Sequence, residues 1–437
     1  DLPENATAGR GGAGYSALTA ASAGLRAIDA VKSALSEPIS GSITGGVSYS
    51  RTDYHAHSAT ANPSTVTAGR DVAAEVERDI TIEGGRIIAG ENVILDAGRD
   101  LTIIAARHSG GSAYSSESGG TGFGMKVGVG VGPEGVVVQS ALTGYAYASG
   151  ASSNDQSVTY LNSLILAGDV VSTSSGRDTT VAGAHVEGDR VWMDVGRNLT
   201  VASLQDSYDR DASSWNAGAS VSVGTGINVN VNAGYGEGKS DMDWVGGQTA
   251  IVGRSEVDIY VENHTHIKGA IIATEPDGDL TLNTGTLSFE EIHDKNKSSD
   301  SYAGVSVSMS FEGGYDKGDT LLGMKTYDYT GNGGKNAPYV PDSTEFQYAS
   351  SDMRGVLRPT VTDGTIIVRD DPDADLSGLN RDITKAREIT KDENVYVDVY
   401  VSPGAIEEIY GGFKGITGQV KQYANEIKAL KAELPSD

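Results

Sequence analysis

One stretch of this chain occurs twice. Residues 84–103, GGRIIAGENVILDAGRDLTI, return at 182–201 as AGAHVEGDRVWMDVGRNLTV. The copies superpose without a gap, placing Gly85 on Gly183, Gly90 on Gly188, Asp96 on Asp194, Gly98 on Gly196, Arg99 on Arg197 and Thr102 on Thr200. A worn third copy stands at 268–282, KGAIIATEPDGDLTL. No other feature constrains the fold as much. A repeat this short cannot bury its own apolar face and must stack on its neighbours.

Each copy alternates short β-branched runs with Gly-polar turns. Alternation at period 2 puts Val93 and Leu95, or Leu101 and Ile103, on one face. Glycine supplies the backbone freedom of a tight corner, and the Asp or Asn that follows hydrogen-bonds around it. Runs of this length are too short for a free-standing sheet. They fit a coil whose rungs stack about 4.8 Å apart. The expected fold class is mainly β: a right-handed parallel β-helix with extruded β-hairpins, and short helices at the N- and C-terminal ends. A β-sandwich also has short strands between turns, but in-register recurrence favours the solenoid.

Four stretches change the pattern to apolar residues alternating with Ser, Gly and Asn. They lie at 39–58, 122–149, 215–240 and 301–319, and each is expected to be a hairpin. In the second, Met125, Val127, Val129 and Val131 share a face opposite Lys126. In the third, Val221, Val223, Ile227, Val229, Val231 and Tyr235 share a face. GPEG at 132–135 and GTG at 224–226 are the expected turns. Gly46 and Gly144 begin similar runs 98 residues apart, the same offset as Gly85 to Gly183. The module is therefore a few coils plus one hairpin. Coil segments are expected at 62–107, 157–206 and 246–289.

The remaining segments divide the chain. Residues 1–38 read as a linker with a capping helix at 15–36, 39–319 as the β-helix with its hairpins, 320–403 as a loop-rich mixed segment, and 404–437 as an amphipathic helix. Within the third, 320–375 reads mostly as loop with one strand near 360–371, 376–393 as a short helix and 395–401 as a strand. In the last, Ile409, Phe413, Ile416, Val420, Tyr423, Ile427, Leu430 and Leu434 alternate at 3 and 4 spacing, a coiled-coil seam. The chain opens at Asp1 without Met or signal peptide, and is expected to be a piece of a longer protein.

Composition narrows the function. The formal charge is −26, which opposes nucleic-acid phosphate and anionic lipid alike. There is no cysteine, so there is neither disulfide nor thiolate metal site. With 58 Gly against 5 Phe and 3 Trp, turn-rich β structure fits better than a large aromatic core.

The motifs GRDLTI, GRDTTV and GRNLTV resemble the repeats of filamentous haemagglutinins, large exoproteins of bacterial two-partner secretion. Coils alternating with Ser/Gly/Val hairpins resemble the second haemagglutinin-repeat region of contact-dependent growth inhibition effectors. TDGTIIVRDDPDADLSGLNRDITKA at 362–386 is similar to the segment that follows it, ahead of the pretoxin and toxin parts. The resemblance covers most of 39–393, without a secretion-signal or toxin domain. It implies a non-catalytic segment of a secreted, cell-surface exoprotein, helping a toxin cross the outer membrane of a target cell. Implied partners are that outer membrane or a surface receptor, and an outer-membrane secretion partner. A haemagglutinin-type adhesin is the alternative, and a polysaccharide-active β-helix enzyme the weakest.

No residue set demands chemistry. His55 with His57 and His264 with His266 share strand faces, so a metal is conceivable. No carboxylate cluster accompanies either pair, and surface histidines are the plainer reading. VGVGVG at 127–132 lacks the spacing of a phosphate loop. The calcium nonapeptide of β-rolls is absent, and Asp96, Asp100 and Asp194 read as turn residues. No catalytic residue, metal or cofactor is expected. The sharper candidates are the hairpin residues Val221, Val223, Ile227, Val229, Val231 and Tyr235, as contacts for a membrane or partner. Strands 217–224 and 226–235 approach the 9–11 residues of a membrane strand. For the water-soluble form the expectation is that the hairpins bury this face on the coil stack, and both readings hold if they detach and insert at a target membrane.

Overall fold

The computed structural model describes residues 39–132, 135–224, 226–312, 314–321, 324–330 and 343–401. The expected helices at 15–36 and 404–437 lie outside them. Short strands build a parallel β-helix with three faces. The first ladder joins residues 65–68, 86–89, 163–167, 184–187, 250–253, 271–274 and 360–361. The second joins 72–76, 93–97, 170–175, 190–195, 256–261, 279–284 and 365–368. The third joins 80–83, 101–104, 179–182, 198–202, 264–268 and 286–290. Every pairing is parallel, as stacked coils require.

The core is the inward half of that alternation. On the second face Leu95, Thr173, Met193, Ile259 and Leu282 lie in register, one per coil. Val93, Val171, Val191 and Val257 form a second such column and are fully buried. Glycine corners inside the stack leave no room for a side chain at Gly90, Gly98, Gly168 and Gly176. A Cβ on Gly176 would meet the Gly98 carbonyl of the coil below. Gly84, Gly183 and Gly269 take φ of 59°, 61° and 51° where alternate coils turn onto the first face, a conformation that favours glycine.

The repeat superposes less simply than its letters. Ile87 stacks through Ile165 on Val186, 99 residues on, while Val93 stacks through Val171 on Val191, 98 on. One residue is missing from the corner near Gly188, so Gly84 rather than Gly85 matches Gly183. In the third copy, Leu280 and Leu282 of GDLTL pair with Val257 and Ile259 on the second face. The letters resemble GRDLTI, but that motif belongs to the third face. Asp96 and Asp194 lie within strands Val93–Ala97 and Ala184–Val195. Asp100 alone of the three is at a turn.

Eight long strands leave the stack at one corner, between the third face and the first. They are β1 (Ile39–Ala59), β2 (Ala106–Gly132), β3 (Gly135–Leu161), β4 (Asp206–Val223), β5 (Gly226–Trp244), β6 (Ile292–Glu312), β7 (Ser343–Leu357) and β8 (Arg387–Val401). They pair in chain order as one antiparallel sheet. The spacing explains why. From β1 to β6 two coils separate successive excursions and each hairpin contributes two strands, while a single coil at 360–386 separates β7 from β8; both repeats advance by about 4.8 Å. Neighbouring hairpins therefore meet at hydrogen-bonding distance.

This arrangement corrects several expectations. Residues 39–58 are one strand, not a hairpin, and pair with β2. The second and third hairpins are longer than their apolar parts, because polar residues 106–121 and 206–214 also pair. The stretch 301–319 is not a hairpin by itself: β6 pairs with β5 and β7, while Gly314–Leu321 pairs with Met324–Thr330 in a small separate sheet. Residues 343–357, expected as loop, are β7. The helix expected over 376–393 is a 3-10 turn, Ile383–Lys385, followed by β8. Its apolar residues do not share a face: Leu379 and Ala386 are buried, and Ile383 is exposed. Leu379 joins the core cluster at the end of the stack. Asn380 Nδ2 donates to Thr360 Oγ1 at 2.9 Å, and Val361 N–H donates to the Asn380 carbonyl at 3.0 Å. This segment closes the stack in place of a helix.

Candidate functional site

The long strands project two unlike faces. Directly opposed residues of an antiparallel pair share a face, and successive residues alternate. One cross-strand row is Val47, Thr121, Ala146, Ala219, Val231 and Val307. Two residues further from the stack, Phe123 and Val221 lie on the same face, and two beyond that Ile43, Met125, Leu142, Val223 and Ile227. The intervening rows hold Ser, Thr, Asn and Gly with Tyr145 and Tyr147. The outer half of the sheet is therefore apolar on one side and polar on the other.

The structure brings the six candidates together on the apolar side. Val221, Val223, Val231 and Tyr235 are exposed, and Ile227 and Val229 half-buried. Met125 and Val127 share that side. Exposure is highest at Val47, 76%, and Phe123, 66%, values that exclude burial against the coil stack. The hairpins pair edge to edge instead, and among the described residues none covers the apolar side.

The run from Gly46 and that from Gly144 are not equivalent. Gly46 shares its row with Tyr145, and Gly144 with Gly45. A one-residue offset reverses the face, so Tyr49 lies on the apolar side while Tyr145 and Tyr147 lie on the polar one.

Nearer the stack the apolar side becomes charged. Lys295 Nζ lies 2.9 Å from Asp241 and 3.1 Å from Asp243. Lys391 and Arg354 reach Asp352 at 2.7 and 3.0 Å, and these two donors, Arg354 first, hold its carboxyl well below the usual carboxylate range. A shallow cavity of about 610 Å³ lies over this belt. On the other side of the sheet, where it joins the stack, Asp294 is buried beside Val245, Ile292 and Leu357. It accepts from Val245 N–H and Gln205 at 3.1 Å each and faces Arg387 at 3.4 Å. Burial pushes its carboxyl up.

Rings lie on glycines across the sheet. A Cβ at Gly150 would sit 2.5 Å from the Trp215 indole nitrogen, and one at Gly119 2.8 Å from the Tyr49 ring. Each ring faces its glycine directly in register. No single strand signals these pairs, because the partners are far apart in sequence.

The histidines of the two pairs meet glycine and hydroxyl groups. His57 lies over Gly111. His264 is hydrogen-bonded to Thr286 at 2.7 Å and Ser288 at 2.8 Å, and His266 to Ser288 at 2.9 Å. Burial, then neighbouring His266, holds His264 below the ordinary imidazole value. Among the described residues, no three His, Asp or Glu side chains converge to hold a metal. None of their helices is long and apolar enough to cross a membrane, a finding that does not bear on strands.

Residues 45–217 and 209–305 match the family model described as haemagglutinin repeat. The chain is 30% identical over 332 residues to a protein named toxin CdiA from Escherichia coli, covering 74% of this chain and 10% of the relative. It is 31% identical over 390 residues to a tRNA nuclease CdiA from Escherichia coli O6:K15:H31, covering 82% and 11%. It is 33% identical over 272 residues to a deoxyribonuclease CdiA from Yersinia pseudotuberculosis, covering 60% and 23%. The chain spans about a tenth to a quarter of these relatives' length. No solved structure matches it.

Proposed function

The chain belongs to the haemagglutinin-repeat family, a structural segment of a secreted bacterial cell-surface exoprotein, and from this we propose that it helps a toxin carried by the same exoprotein cross the outer membrane of a target cell. The coil stack is the rigid support. The sheet is the part that meets the membrane, its apolar side turned to lipid. The partners on this reading are the target outer membrane and, for the whole exoprotein, an outer-membrane secretion partner. The nuclease names describe the relatives, and this segment carries no catalytic role.

The observation that supports the reading is the uncovered apolar side of the outer sheet. From Trp215 to Val223 it runs for about 27 Å along the strands, close to the roughly 25 Å apolar band of outer-membrane barrels. Trp215, Tyr235 and Tyr49 stand at its inner border, where barrels carry aromatic girdles.

The test uses the full exoprotein with Val221→Asp and Val231→Asp. Target-cell inhibition should fall at least tenfold, while surface display and attachment to target cells remain. Unchanged inhibition would sink the proposal. In vitro, the chain should float with outer-membrane vesicles and its tryptophan emission, read at Trp215, should shift to the blue. Loss of attachment itself in the variant would instead favour an adhesin.

A further inference from the structure

We infer that in water the same apolar side is covered by a second copy of this chain, so that two sheets pack face to face as a sandwich that must open before lipid can be met. This regulatory sense rests on the membrane reading above; the pairing itself does not.

The area carries the argument. The side extends about 27 Å along the strands and about 24 Å across β1 to β6, a footprint of roughly 650 Å² per copy. Two such footprints make roughly 1,300 Å², within the range of stable protein interfaces. The same area exceeds the exposed apolar patch of ordinary monomers. Arg51 and Glu117, in one row at its inner corner, are the only charged residues of β1–β6 among the described ones there. Pairing therefore desolvates little charge, and the charge cost that weakens many interfaces is small.

Relief and charge suit a two-fold pairing. Ala148, Ala217 and Ala233 form one low row, bordered by Trp215 on the stack side and Val231 on the outer side. A partner's larger row can seat there, as in packed sheets about 10 Å apart. Each chain carries −26. A two-fold axis running across the strands sets the two coil stacks at opposite ends and keeps like charge apart.

The test is sedimentation velocity of the full chain without lipid at roughly 20 µM, above the micromolar end of the affinities that interfaces near this size span. The unchanged chain should sediment at twice the monomer mass. Val221→Lys with Val231→Lys should sediment as monomer with the same circular dichroism, since both side chains are exposed. Asn230→Lys, on the polar side, should remain dimeric. A monomeric unchanged chain overturns the inference, as does a Val221→Lys/Val231→Lys variant that dimerises equally. Flotation of the same samples separates the two readings. A monomer that floats defeats the pairing alone, and a dimer that never floats supports the pairing while defeating the membrane reading.

Discussion

Among single residues, Thr173 stands out because it is buried without satisfying its hydroxyl. It stands between Leu95 and Met193 in a core column, and its hydroxyl has no hydrogen-bond partner. A buried, unpaired hydroxyl costs about 1–3 kcal/mol. Thr173→Val keeps the shape and should raise the unfolding free energy read from a urea melt by about that amount, seen as a higher midpoint at unchanged slope. An unchanged or lowered midpoint would refute the assignment. The turn aspartates form another residue-scale device. Arg99 ion-pairs Asp79 of the coil before it, and Arg197 ion-pairs Asp178 in the same way. The guanidinium hydrogen bonds hold both carboxyls below their ordinary values. A folded pKa below the unfolded one contributes stability above the unfolded value, and that contribution is lost as pH falls through the folded one. Thermal midpoints should therefore hold from neutrality to about pH 4 and drop below it. Asp294 shifts the other way, so its ionised form costs stability near neutrality and that cost is relieved as pH falls through its raised folded pKa toward about 4; Asp294→Asn should abolish this rise above about pH 4. Melts of both forms across that window check the sign.

Elements owe their register to contacts between strands rather than to patterns within them. β2 has Gly at 110, 111, 119, 120, 122, 124, 128, 130 and 132, and glycine-rich strands slip easily. A ring lying on Gly150 marks one register, because its neighbours Ser149 and Ala151 carry a Cβ and present no such space. Trp215 on Gly150 is the tightest instance. Gly150→Val places branched carbon against the indole and should cost roughly 1–3 kcal/mol. It should also expose Trp215, read as a red shift in emission. If stability and emission both stay unchanged, the ring does not set the register. β7 and β8 make the same point from composition. Residues 343–357 alternate poorly, yet they pair along their full length with β6 and β8. The unpaired edge of β6 recruits them.

The whole molecule is commensurate. Each module adds two coils to the stack and two strands to the sheet, so both grow at one pace. Deleting residues 106–203 removes one such module and brings β4 beside β1 in antiparallel sense. That shortened chain should fold and melt cooperatively. Deleting residues 163–183 alone removes one coil and leaves the sheet with strands the stack cannot space. It should melt at lower temperature and be cut by protease within 106–161. Circular dichroism melts and limited proteolysis of the two deletions decide the point. Equal behaviour would mean that stack and sheet are independent.

Sequence by itself determined the coil. Val93, Leu95, Leu101 and Ile103 alternate within a few residues, and local alternation with Gly corners is enough to specify a stacking rung. It also determined which side of the third hairpin is apolar, since Val221, Val223, Val231 and Tyr235 follow a strict period of 2. Only the tertiary structure decided where that side points. The sheet forms because two strands match two coils in width, a relation between distant segments that leaves no mark on either. The same holds for Gly188, where one absent residue shifts a corner without disturbing the letters around it, and for Leu379, which caps the stack from a segment with helical spacing. Pattern records which face of an element is apolar; what covers that face depends on distances that close only when the chain has folded.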